Sequence, residues 1–194
     1  MTEHDYNPRR HPPSVTECLV VISGCSSGGK STLLAEMARR GYQVLSEPGR
    51  QIVKESLFIG NDALPWEDGA KFCELCVSRA MYLYNTARLD GRPVLFDRSL
   101  VDAISGMQRA GMSTPRGFGA ALQHYRYARR VFMTPPWAEL FVTDDERRGT
   151  FEAAVAEYEG LLKSYPANGY IVVLLPKLPV VERADFLEAQ LRMR

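Results

Sequence analysis

The chain has 194 residues, 45% of them hydrophobic and 24% charged, and a formal net charge of +1. That length suits one domain with a substantial core, and the near-neutral charge favours neither a nucleic-acid nor a membrane partner. No apolar run approaches the roughly 20 residues that cross a bilayer. The first residues carry no apolar signal core, so a cytoplasmic protein is expected.

Residues 1–16, polar and proline-broken, read as a flexible N-terminal arm, and residues 17–194 as a single domain. Continuous apolar runs at residues 18–23, 42–45, 93–97, 130–133 and 170–175 predict five strands. Continuous rather than alternating apolarity is what helices on both faces of a parallel sheet produce. Between them lie helical patterns. The first starts near Lys30 and stops before Gly41, a suitable C′ glycine. A second follows Pro48, a long one covers residues 68–89, and two shorter ones follow Asp97. Phe151, Val155, Tyr158 and Leu162 mark one face of another. Pro179 opens the last, whose face carries Val180, Ala184, Leu187 and Leu191.

The segment GCSSGGKS, residues 24–31, follows a strand, opens a helix and satisfies G-x-x-x-x-G-K-[ST]. Gly24, Gly28 and Gly29 let successive backbone N–H groups turn inward as an anion nest. The helix that follows aims its free N–H groups and positive dipole end at the same point. A lysine at a helix start opposes that dipole; bound phosphate removes the conflict, with Lys30 serving the β- and γ-phosphates and Ser31 offering a hydroxyl to Mg²⁺. Gly24, Cys25, Ser26, Ser27, Gly28, Gly29, Lys30, Ser31 and Thr32 are the expected ATP-binding set.

PVLFDRS, residues 93–99, is an apolar strand ending in Asp97. That is the pattern of a Walker-B carboxylate held near Mg²⁺; the alternative is an aspartate capping the next helix. Arg98 stands where motor ATPases place a glutamate. The chain also has no N/T-K-x-D guanine reader and no L-S-G-G-Q signature. These features favour phosphoryl transfer to a bound acceptor.

SEPGR, residues 46–50, and DRSLVDAISGMQRAG, residues 97–111, resemble segments of thymidylate kinases. From about residue 18 to 190 the chain is more similar to the AAA-28-like P-loop ATPase and kinase domains. That family includes the ribosylnicotinamide kinase domain of the bifunctional NAD-biosynthesis regulator. The shared features are the P-loop, an E-x-G-R-x-x-[VI] segment at residues 47–53, the strand end at residues 96–98, and a DD…R…F lid at residues 144–151. The resemblance implies a nucleotide-kinase-like α/β fold with a five-stranded parallel sheet in the order 2-3-1-4-5. It implies Glu47 and Arg50 on the acceptor side of the crevice, and Arg147 or Arg148 closing over the transferred phosphoryl group. It implies Asp97 beside Mg²⁺ or acting as base, and Arg98 either on phosphate or paired with a carboxylate. Residues 176–180 take the adenine-side position.

The expected activity is transfer of the ATP γ-phosphate to a small nucleoside- or nucleotide-like acceptor with Mg²⁺; the alternative is an ATP-binding switch ATPase with a protein partner. A third reading builds a redox or zinc site on Cys73 and Cys76, although Cys76 continues an apolar stripe with Phe72, Ala80 and Leu83. Trp66 and Trp137 could stack a base but suit packing as well. Arg126, Arg129 and Arg130 form a basic cluster that could recognise phosphate but reads more simply as a solvated helix end.

Overall fold

The computed structural model describes residues 6–8, 11–26, 28–141 and 149–193. Strands β1 (Leu19–Gly24), β2 (Gln43–Leu45), β3 (Val94–Asp97), β4 (Arg130–Thr134) and β5 (Ile171–Leu174) form one sheet. Its order is β2-β3-β1-β4-β5, all pairings parallel, as expected from the resemblance. The helices are α1 (Lys30–Arg39), α2 (Pro48–Ile59), α3 (Gly69–Thr86), α4 (Leu100–Arg109), α5 (Phe118–His124), α6 (Phe151–Ala167) and α7 (Val180–Arg192).

Every residue of β1 is buried, and its alternate side chains feed two cores because successive residues of a strand point to opposite faces. Leu19 and Val21 pack with Val77, Leu100, Ile104 and Leu161 from α3, α4 and α6. Val20 and Ile22 pack with Leu33, Met37 and Leu187 from α1 and α7. Burial of each such aliphatic side chain stabilises the fold by about 1.5–3 kcal/mol. The continuous apolar run at β5 does not mean full burial. This strand pairs only with β4, and Ile171 and Leu174 stay about half exposed at the sheet edge.

Local chemistry sets the helix ends. α1 closes in a Schellman arrangement: Gly41 adopts φ +87°, Tyr42 N–H donates to the Met37 carbonyl and Gly41 N–H to that of Ala38. The long helix stops at Thr86, three residues short of the expected end. The Thr86 hydroxyl bonds back to the Tyr82 carbonyl at 3.0 Å, and Ala87 turns extended and is buried. Within the segment read as an arm, Tyr6 stacks on Tyr82 and His11 meets Tyr84 edge-on, both on α3. Two of the three arginines expected to form a solvated helix end are tied into the fold instead, while Arg129 is exposed. Arg126 lies 4.3 Å over the Tyr170 ring, and Arg130 donates to the Gln190 carbonyl on α7 at 2.6 Å.

The parallel order brings the C-terminal ends of β1, β2 and β3 to one edge, where such sheets bind ligands. The glycine loop, Glu47 and Asp97 leave from those three ends.

Candidate active site

The glycine loop is fixed from outside by backbone and side-chain contacts that only glycine admits. Gly24 has φ +127°, and a Cβ there would lie 2.3 Å from Thr134 Oγ1. Gly29, with φ +76°, would place a Cβ 2.8 Å from an Arg183 guanidinium nitrogen. Lys30 is buried and folds over the loop, its Nζ donating to the carbonyls of Cys25 at 2.8 Å and Gly24 at 3.1 Å. Ser31 and Thr32 are exposed on the first turn of α1. Ser27 lies outside the described residues. The loop's affinity for anions is visible in one contact: Ser26 N–H donates to Glu157 Oε2 at 3.2 Å.

Asp97 ends β3 beside β1, in register with Ile22, and is buried. The next helix does not use it as a cap. Ser99 and Asp102 form the capping box of α4: the Ser99 hydroxyl accepts from Val101 N–H, and Asp102 Oδ2 accepts from Ser99 N–H at 2.8 Å. Asp97 Oδ1 has no hydrogen-bond partner among the described residues. Burial, reinforced by Glu47 and Asp102 and opposed by Lys30 and Arg98, pushes the Asp97 carboxyl up to about 6. A buried carboxylate oxygen with a free lone pair is a donor of the kind that a hard, oxygen-seeking cation such as Mg²⁺ takes.

Arg98 is the hub of the site. It is the one non-glycine residue with positive φ among the described residues, at +70°, a conformation that costs about 1–2 kcal/mol. Its guanidinium pairs with Glu157 at 2.7 Å, Glu47 at 3.0 Å and Asp102 at 3.3 Å. Burial alone would depress it, but Glu157, Glu47, Asp102 and Asp97 hold it firmly charged. Of the two readings open for Arg98, pairing with carboxylates is the one the geometry displays. Glu47 therefore pairs with Arg98. On Glu157 burial works against the charge, yet Arg98 and Lys30 keep its carboxyl below the ordinary value.

One cavity of about 710 Å³ runs from the glycine loop to the α2–α3 side. Its lining includes Ser26, Lys30 and Ser31, the charged side chains Glu47, Arg50 and Arg98, and the aromatic side chains Trp66, Phe72 and Phe141. Such a volume takes a compact organic ligand. Cys73 and Cys76 stand in the same wall, both buried and free. Burial pushes the Cys73 thiol up to about 11 and that of Cys76 higher, which keeps both protonated and poor as nucleophiles or metal ligands. No group of three or more His, Cys, Asp or Glu side chains that could hold a metal occurs among the described residues. Arg147 and Arg148, with most of the expected lid, lie outside the described residues.

Sequence reasoning missed three residues of this region. Asp102 was legible, since S-x-x-D before an apolar run is a capping-box signature. Glu157 left a fainter signal: it lies between Ala154 and Leu161 at helical spacing, a carboxylate in an otherwise buried stripe. Arg183 gave none.

Comparison with curated proteins finds no match. Among solved structures, the deoxyadenosine kinase from M. mycoides with bound dATP aligns over 89% of this chain and 98% of that one, at 17% identity and a TM-score of 0.50. The same kinase with bound dCTP aligns over 91% and 99%, at 16% identity and a TM-score of 0.45. The first likeness confirms the P-loop kinase-like fold. A family model described as an AAA domain, AAA_28, matches residues 19–183. That span takes in the glycine loop, Asp97 and the carboxylates around Arg98, and the protein belongs to the AAA_28 family of AAA domains.

Proposed function

We propose that the protein is a small-molecule kinase that transfers the γ-phosphate of ATP to a hydroxyl of a nucleoside- or nucleotide-like acceptor with Mg²⁺. The observation that carries this reading is one cavity whose wall takes in residues of the glycine loop, Glu47 and Arg50, and the aromatic side chains Trp66, Phe72 and Phe141. Donor and acceptor held in one cavity meet without diffusion, which supplies much of the rate in phosphoryl transfer. The fold-mate is a deoxyadenosine kinase, in keeping with this reading.

In the mechanism, the loop N–H groups and Lys30 hold the donor phosphates, and Lys30 follows the charge that develops on the transferred group. Mg²⁺, when bound, would be held by Ser31 and Asp97 and would neutralise phosphate charge. Glu47 and Arg50 orient the acceptor, and Asp97 or Glu47 receives the hydroxyl proton. Arg98 keeps Glu47 and Glu157 in place.

The test is an ATP-consumption screen against nucleosides, nucleotides and pyridine ribosides. ATP use that requires one of these acceptors supports the kinase. Glu47→Gln and Arg50→Ala should then lower acceptor turnover while sparing ATP affinity and melting temperature. Hydrolysis indifferent to acceptors but dependent on a protein partner would make the protein a switch ATPase instead.

A further inference from the structure

Arg183, on the first turn of α7, is a buried cation without a carboxylate partner among the described residues. It is 4% exposed. Its guanidinium donates one hydrogen bond, to the Gly29 carbonyl at 3.2 Å, and lies 5.6 Å over the Trp137 ring. Its Nε has no hydrogen-bond partner, and no ion pair reaches it among the described residues. Burial works against its charge.

Such an arrangement is costly by itself. A buried charge is normally paired, and this one stands at the positive end of the α1 dipole, within 3.3 Å of the space beside Gly29. The nearby cation, Lys30, has Asp97 and Glu157 to answer it; among the described residues Arg183 has no such counterpart. The anion that would balance it is the polyphosphate that the glycine loop is shaped to take.

We infer that Arg183 is a positioning residue of the nucleotide site, acting on the donor polyphosphate through the Gly29 peptide. This rests on the ATP-binding reading above. Its charge reaches the loop through protein rather than water, where screening is weak. Its bond to the Gly29 carbonyl holds the peptide at which the loop turns into α1. The ligand class is therefore the phosphate chain, not the base. Arg183 lies outside the acceptor cavity, so its effect falls on the donor.

The experiment titrates ATP, tripolyphosphate and adenosine into wild type, Arg183→Met, Arg183→Lys and Lys30→Ala, and records melting without ligand. Arg183→Met should weaken ATP and tripolyphosphate by on the order of 10-fold, one unit charge acting over several ångströms of protein. Adenosine binding should not change, and Arg183→Lys should recover most of the loss. Without ligand, Arg183→Met should melt no lower than wild type, because an unpaired buried charge has been removed. Unchanged ATP affinity in Arg183→Met, or a loss that includes adenosine, overturns the inference. A lower melting temperature with the ATP affinity retained makes Arg183 a packing residue and overturns it too. If Arg183→Met does not fold, Arg183→Gln, which keeps a donor for the Gly29 carbonyl, takes its place with the same expected losses. If Lys30→Ala binds ATP as wild type does, the glycine-loop reading itself fails; if only Arg183→Met does, that reading stands and this inference falls.

Discussion

Asp97→Asn should make the ligand-free protein more stable and the enzyme inactive. The carboxyl rises from an ordinary 3.8 to about 6 in the folded chain, chiefly through burial. A folded-state pKa above the unfolded one means that the native state holds its proton more tightly. The stability that Asp97 contributes is therefore fully present below pH 4, is lost as pH rises between about 4 and 6, and stays lost above that. The full loss is about 3 kcal/mol, from 1.36 kcal/mol for each unit of pKa. Asparagine has the shape of the neutral acid and cannot ionise. At pH 7 the variant should exceed wild type by up to that amount, which for a chain of this size is roughly 6–12 °C in melting temperature. Near pH 3.5 the two should melt together. On the proposed function, turnover should fall by at least ~100-fold, since the variant lacks the carboxylate proposed to hold Mg²⁺ or to take the hydroxyl proton. Thermal melts of both proteins from pH 3.5 to 8, beside turnover at pH 7, test the chain of reasoning. A variant that melts below wild type at pH 7 would show that the Asp97 charge anchors the fold, and the functional reading of its burial would be wrong.

Lys30→Ala should abolish ATP use, and circular dichroism should show an intact sheet, because among the described residues Nζ hydrogen-bonds to loop carbonyls alone; near-normal turnover would remove the phosphate role. Glu157→Gln takes away the carboxylate that Ser26 N–H holds and should tighten ATP several-fold in a binding titration. Weaker ATP binding would instead make the Arg98–Glu157 pair part of the bound state. Gly24→Ala forces a Cβ into Thr134 and should cost several kcal/mol in denaturant unfolding; a loss under about 1 kcal/mol would mean that the loop is not held as described.

The sequence alone determined the elements and the loop. Strand runs, Gly41, Pro48 and Pro179 act through local sterics and periodicity, and these are properties of a few neighbouring residues. The glycine loop was legible for the same reason: its nest, its lysine and its helix start are contiguous in the chain. The tertiary structure decided how charges are shared. Arg98 could read as a phosphate contact or an ion pair until β2, α4 and α6 brought Glu47, Asp102 and Glu157 against it. Glu157 lies 131 residues from Ser26 in the chain and Arg183 lies 154 from Gly29, yet each is hydrogen-bonded to the loop. No pattern of neighbours encodes such meetings. They follow from the order in which the strands pair, and they set desolvation and Coulomb forces that depend on distance in space rather than along the chain.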